Sequence, residues 1–320
     1  MARRLADENG EEVAVEADHE RARVAWYYYI GGLTQQEIAE KLSITRLRVN
    51  RIIGQVRTDG SVRVEILMPL ARCVALEEDL KTRFGLAGAR VVPSVDDPAE
   101  QQRLIGEAAG AMLDTLLTDG EAFGVGWGTT LSAATRRVTP RRLSNGWVAT
   151  LMGGLTRGSG TNTFEVSTAF ARVLGAECYY LAAPIYVPTP ESREVLLTHH
   201  GLAEALRRAR LAQVALVSCG DLSNRSLLAT THVVAESLDD LRAANAVGDI
   251  LGVFLDAEGR PVDHPLNERV MALPLGDLKT IPKAILASGG LHKRAIVKAI
   301  LTAGYVKYLV TDEACAEAIL

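Results

Sequence analysis

Residues 33–53 read LTQQEIAEKLSITRLRVNRII, and this stretch decides the fold of the amino-terminal part of the chain. Thr34 followed three residues later by Glu37 forms a capping box, in which hydroxyl and carboxylate satisfy amides left without partners at a helix start. Ile38, Ala39 and Leu42 then recur at helical spacing and predict a helix over 35–42. A short turn at Ser43-Ile44-Thr45 leads to a second periodic run, Val49, Ile52, Ile53 and Val56, which predicts a helix over 46–57. Upstream, Val24, Ala25, Tyr28 and Tyr29 predict a helix over 20–30 that Gly31-Gly32 stops. Three helices, a short turn and the small Ala39 in the second helix make a helix-turn-helix. Asp59-Gly60 signals a turn, and residues 62–66 alternate like a short strand.

The outward positions of the third helix carry DNA-reading chemistry. Arginine binds guanine bidentately, asparagine and glutamine do so to adenine, and threonine reaches phosphate or a thymine methyl. Thr45, Arg46 and Arg48 are the candidates near bases, Arg51 and Gln55 lie nearer the backbone, and Thr34, Gln35 and Asn50 complete the surface. The plain alternative is a helical hairpin with a solvated basic face. Charge favours DNA. The whole chain is −4, but residues 21–63 hold eight basic side chains (Arg21, Arg23, Lys41, Arg46, Arg48, Arg51, Arg57, Arg63) against Glu37, Glu40 and Asp59. That segment is +5 and the remainder −9, so a basic module sits on an acidic body.

A chain of 320 residues has room for this module and one larger domain. Residues 1–19 are polar and acidic and read as a mobile tail, 20–66 as the DNA-binding domain, 67–85 as a linker or oligomerisation helix built on Leu76, Leu80 and Phe84, and 86–320 as an effector-binding domain. No apolar run approaches the roughly 18 residues that span a bilayer, and the acidic start is unlike a signal peptide, so the expected location is the cytoplasm with no membrane partner. Cys73, Cys178, Cys219 and Cys315 are far apart and lack C-x-x-C spacing, which suggests buried thiols rather than disulfides or zinc. His199, His200 and His264 have no partner at ligand spacing. No metal or other cofactor is expected.

Beyond residue 86, strand-like runs at 90–92, 122–126, 147–152, 176–181, 214–218, 250–255, 281–287 and 308–311 alternate with helical runs at 99–117, 163–174, 202–209, 238–244, 293–302 and 313–319. The alternation predicts an α/β fold, a large doubly wound, mainly parallel sheet. Glycine-rich turns follow four of the strands. Gly126-Trp127-Gly128-Thr129-Thr130 offers amides and two hydroxyls to an anion or a hydroxylated ligand, and Gly153-Gly154, Gly220 and Gly289-Gly290 mark the other turns, with Lys293 just beyond the last. Ligands of such sheets bind at the carboxyl ends of strands, where these loops are expected to converge. The bland reading is that the glycines only permit tight turns and that Lys293 is solvated. Asp249 is either an acceptor for sugar hydroxyls or a turn or cap residue, and Asn162 and Glu165 are either ligand contacts or helix caps.

With these residues in place, the chain from about Glu20 onward resembles the sorbose-operon (SorC) family of bacterial regulators. The matching stretches are the 33–42 segment with its recognition helix, GVGWGTTL from Gly124, VGDILG from Val247 and ASGGLHKRAI from Ala287. The resemblance implies an effector domain similar to sugar-phosphate isomerases and deaminases, a homo-oligomer, dimer or tetramer, and a ligand that releases or rearranges the protein on its double-stranded operator. Within the family the chain is most similar to regulators of polyol catabolism of the erythritol type. The resemblance also places Gly126, Thr129, Thr130, Asp249 and Lys293 around the effector. Some phosphate-sugar-binding members carry an arginine just before the glycine pair, where this chain has Met152; Arg157 is the available substitute. The implied effector is therefore a sugar or polyol, unphosphorylated or with one phosphate, acting on a repressor.

The rival from another class is a sugar-phosphate isomerase or deaminase, which the fold resemblance permits. Such chemistry requires a carboxylate placed to move protons between adjacent carbons, and none is assignable here. The DNA-binding module also argues against catalysis.

Overall fold

The computed structural model describes residues 18–59, 61–62, 71–156 and 161–320. Most of the expected acidic tail, Gly60 of the turn, residues 63–66 of the expected short strand and Arg157 lie outside the described residues. The chain divides into two compact units, Met1–Met68 and Pro69–Leu320.

The first unit is a three-helix cluster: α1 (residues 18–29), α2 (Gln35–Leu42) and α3 (Arg46–Thr58). The Thr34 hydroxyl accepts from the Glu37 amide while the Glu37 carboxylate accepts from the Thr34 amide, so the capping box forms. Ser43, in the left-handed region at φ 54°, ends α2 and lets the chain turn. Thr45 caps α3 by accepting from the Arg48 amide. Val24, Ile38, Ala39, Val49, Ile52, Ile53 and Val56 are buried together, which is the apolar set that the spacing marks as inward.

In the second unit seven strands form one parallel sheet: β1 (Gly88–Val92), β2 (Phe123–Val125), β3 (Trp147–Thr150), β4 (Glu177–Tyr179), β5 (Val214–Val217), β9 (Lys283–Ala287) and β10 (Tyr308–Asp312). Between them in sequence, β6 (Cys219–Gly220), β7 (Gly248–Ile250) and β8 (Val253–Leu255) make a small antiparallel sheet. The order in the large sheet is β1-β10-β9-β5-β2-β3-β4. From β2 the chain winds outward to β3 and β4; from β5, the neighbour of β2 on its other side, it winds the opposite way to β9 and β10. Such a reversal opens a crevice at the carboxyl ends of β2 and β5.

Helices cover both faces. Alternate residues of the central strands go to opposite sides: Val214, Leu216, Ile285, Ala287 and Val310 join one core, and Ala215, Val217, Ala284, Leu286 and Leu309 the other. The first core packs against α5 (Pro98–Leu116), α6 (Thr129–Ala134) and α7 (Thr163–Val173), with Phe123 edge-on to Phe170 at 5.1 Å. The second includes α4 (Ala71–Phe84).

The helix over 71–84 turns Cys73, Leu76 and Leu80 into the second core and lies against β1. One sequence expectation is corrected. The run at 250–255 is not one strand. Leu251 and Gly252 both take positive φ, 54° and 79°, and fold the segment into a two-residue hairpin between β7 and β8.

Candidate functional site

The crevice at the switch point is a cavity of about 260 Å³. The loop after β2 supplies Trp127, Gly128, Thr129 and Thr130 to its wall, and the loop after β5 supplies Ser218, Cys219 and Gly220. Asp249 enters from β7, Lys293 from the turn after β9, and Gln102 from α5. Residues 225–228 close a further side, with Arg225 among them.

The polar groups that face this space are poorly used by the protein itself. Among the described residues the Lys293 ammonium makes no hydrogen bond or ion pair, nor do the hydroxyls of Thr129 and Thr130. The amides of Thr129 and Thr130 open a helix and have no partner within it. Gly128 is in the left-handed region at φ 113°, and its own amide donates to the Thr161 carbonyl, which ties the loop down. Asp249 is 4% exposed, and its carboxylate accepts from the Gly252 amide at 3.1 Å, bracing the hairpin. Burial pushes its carboxyl up to about 7, against the opposing pull of the Gly252 amide and of Lys293. Gly220 has to be glycine, because a Cβ there would stand 2.5 Å from Asp249 Oδ1 and 2.7 Å from Ser226 Oγ. Nearby, Asp221 is buried with Oδ1 lacking a hydrogen-bond partner. Burial also raises the Cys219 thiol to about 11, so it is a neutral wall group that donates to Ser288 Oγ.

Of the expected effector residues, Gly128, Thr129, Thr130, Gly220, Asp249 and Lys293 come together around the cavity. The others do not line it. Gly126 donates its amide to Leu216 within the sheet end. Gly153 and Gly154 bond to Met271 and Ala183, and a side chain on either would run into backbone of Ala183 and Pro184 or into Phe164. Asn162 clamps Leu155 through both its side-chain atoms and begins α7. Gly289 packs against Asp312, whose carboxylate accepts from the Gly290 amide. Gly153, Gly154 and Gly289 serve close packing, and the described residues of the β3 loop do not line the cavity, although the Thr161 carbonyl holds Gly128 of the β2 loop. Met152 is fully buried. Sequence reasoning missed Gln102, Ser218, Arg225 and the 226–228 segment. Arg225 sits in an irregular loop with no periodicity to place it, and Gln102 is one polar residue of an amphipathic helix.

On the first unit, Arg46, Arg48, Asn50, Arg51 and Gln55 are exposed along α3. Five of the expected DNA contacts, Thr34, Gln35, Thr45, Arg48 and Asn50, are already engaged. The Arg48 guanidinium forks onto the Glu20 carboxylate at 2.8 and 2.6 Å, and Gln35 donates to Asn50 at 3.3 Å. The hydroxyls of Thr34 and Thr45 are held in the two helix caps.

A helix-turn-helix unit and a doubly wound domain with a polar crevice at its switch point define a ligand-responsive transcription regulator. Residues 68–320 match the family model described as "Putative sugar-binding domain". The chain is 29% identical over 302 residues to the erythritol catabolism regulatory protein EryD of Brucella abortus (strain 2308), covering 93% of this chain and 95% of that one. It is 32% identical over 305 residues to the transcriptional regulator LsrR of Escherichia coli (strain K12), covering 93% of each. Among solved structures it superposes on the full-length sorbitol operon regulator SorC from Klebsiella pneumoniae with a TM-score of 0.73 at 26% identity, over 93% of this chain and 97% of that one. A DeoR family transcriptional regulator from Listeria monocytogenes gives a TM-score of 0.70 at 25% identity, over 78% and 99%. The chain belongs to the SorC family of transcriptional regulators with a sugar-binding domain. It is a regulator and not an enzyme, which sets aside the isomerase or deaminase alternative.

Proposed function

We propose that the second unit binds a polyol or open-chain sugar carrying one phosphate, and that occupancy of the cavity governs binding of a cytoplasmic homo-oligomer, dimer or tetramer, to double-stranded operator DNA. The observation that carries this reading is the pairing, in one small cavity, of an uncommitted ammonium, Lys293, with a buried carboxylate, Asp249. Lys293, Arg225 and the Thr129 and Thr130 hydroxyls and amides suit a phosphate, since a cation with convergent donors matches its oxygens. Asp249 suits the hydroxyl end, because a carboxylate is the strongest acceptor for a sugar hydroxyl in a dry site. The volume of about 260 Å³ falls just below the range of sites for drug-sized ligands and fits a small metabolite. The two cations that line the cavity suffice for a single phosphate, and Met152 is no substitute for a third.

The mechanism is a population shift: the effector binds one arrangement of the oligomer better than another, and only one arrangement spaces the recognition helices to match the operator. The reading makes the protein a repressor that effector releases. Titration of operator binding against a panel of polyols with their mono- and bisphosphates, paired with calorimetry, tests it. Release by a monophosphate is the expected result. Tight binding confined to a bisphosphate overturns the ligand class, and a panel without any effect on operator affinity overturns the sensor role.

A further inference from the structure

The outward face of α3 has a centre that sequence inspection passes over. Successive helical residues are about 100° apart, so the direction opposite the buried Val49, Ile52, Ile53 and Val56 is occupied by Leu47, Arg51, Gly54 and Thr58. Arg46 and Asn50 lie to one flank and Arg48 and Gln55 to the other. The flanks are tethered, Asn50 by Gln35 of α2 and Arg48 by Glu20 of α1. Leu47, in the first turn of the helix, is 70% exposed. Gly54 faces open space, with no atom within 4 Å of where its side chain would begin.

We propose that Leu47 is a base-reading residue, its methyl groups set against the C5-methyl of a thymine in the major groove, with Arg51 making the adjoining polar contact. The proposal rests on the reading of this unit as a DNA-binding module. Three features favour a groove as the occupant over an apolar protein patch. Leu47 is surrounded by Arg46, Arg48 and Arg51, and although Glu20 pairs Arg48, an apolar partner would strip water from Arg46 and Arg51 without compensating them. DNA offers phosphates to the arginines and, between them, a floor on which the thymine methyl is the apolar landmark. The first turn of a recognition helix is the part that reaches base edges, and the bare Gly54 two turns on lets the backbone approach the duplex closely. Arg48 is thereby a positioning residue, held by Glu20 on the flank of the reading face.

The test is selection of bound sequences from a pool of duplexes with a randomised central segment, using the full chain and its Leu47→Ala variant. Leu47 is exposed and alanine is a better helix former, so folding is preserved. The expected result is that the wild-type motif contains a thymine that Leu47→Ala ceases to prefer at one base pair per half-site, all other positions being retained. Replacing that thymine by uracil removes only the methyl and should weaken wild-type binding about fourfold, the equivalent of one buried methyl group, and leave the variant unchanged. An identical motif in the variant, or a variant altered in oligomeric mass but not in motif, overturns the assignment. A wild-type chain that enriches no sequence removes both the assignment and the DNA-binding reading beneath it, so the two failures are distinguishable.

Discussion

Replacing Asp249 by asparagine removes a buried ionisable group while keeping an oxygen to accept the Gly252 amide, so the β7–β8 hairpin retains its brace. Burial holds the native carboxyl at about 7 against an ordinary 3.8. Between those values the native state keeps a proton that the unfolded chain has released, so unfolding free energy falls as pH rises through this window. From pH 5 to pH 8 the loss attributable to Asp249 is on the order of 3 kcal/mol. Denaturant unfolding at both pH values, followed by tryptophan fluorescence to which Trp127 in the cavity wall contributes, measures it. The wild type should lose stability toward pH 8, and Asp249→Asn should lose less by that difference, since every other titrating group is common to both. A ligand hydroxyl donating to the carboxylate favours its ionised form, so effector should stabilise the wild type more at pH 8 than at pH 5. Parallel pH profiles for the two proteins would refute the assignment of an unpaired, desolvated carboxylate to this position.

Lys293→Met should weaken a phosphorylated effector roughly 10- to 100-fold by calorimetry, the loss of one charge-assisted contact, and leave its unphosphorylated parent little changed. Leu80→Ala should cost about 2–5 kcal/mol of stability without changing the oligomeric mass by light scattering, because that side chain is fully buried within the chain's own core; a halved mass at unchanged stability would assign α4 an interface role.

The helix-turn-helix was readable because each local signal agreed with the next: the capping box, the four-residue apolar period and the basic outward face coincide over a few turns. The parallel sheet was readable for a related reason. Its strands are buried on both faces and appear as short apolar runs spaced by helices. The hairpin at 248–255 was not readable, because its turn relies on Leu251 at positive φ, where sequence signals lead one to expect asparagine or glycine. The cavity was half readable. Glycines announce tight approach but not what approaches: at Gly220 the neighbour is the Asp249 carboxylate beside a ligand site, whereas at Gly153 and Gly154 it is only backbone and Phe164. Residues such as Gln102 and Arg225 join the cavity through tertiary placement, to which local pattern is blind.

The cavity is built asymmetrically, and this bears on how it senses a ligand. On one side, Gly106 and Gly110 occupy successive turns of α5, and a side chain at either would strike the carbonyls of Thr130 or Ala134, so α6 lies directly on α5. That contact fixes Thr129 and Thr130 on a rigid helix pair. On the other side, residues 225–228 belong to an irregular segment between β6 and the next helix, with Arg225 exposed and making no side-chain bond among the described residues. A ligand therefore meets a wall of hydroxyls fixed by close helix packing and a loop wall bearing the Arg225 cation, the loop itself seated by buried Ser226 and Leu228. Gly106→Ala should displace Thr130 from its seat and lower effector affinity on calorimetry, by about 10-fold if one or two hydrogen bonds are misaligned, while the affinity of the ligand-free protein for DNA stays the same. If effector affinity survives that substitution in a folded protein, the fixed wall is not what the ligand reads, and the sensing contacts must lie with Arg225, Asp249 and Lys293.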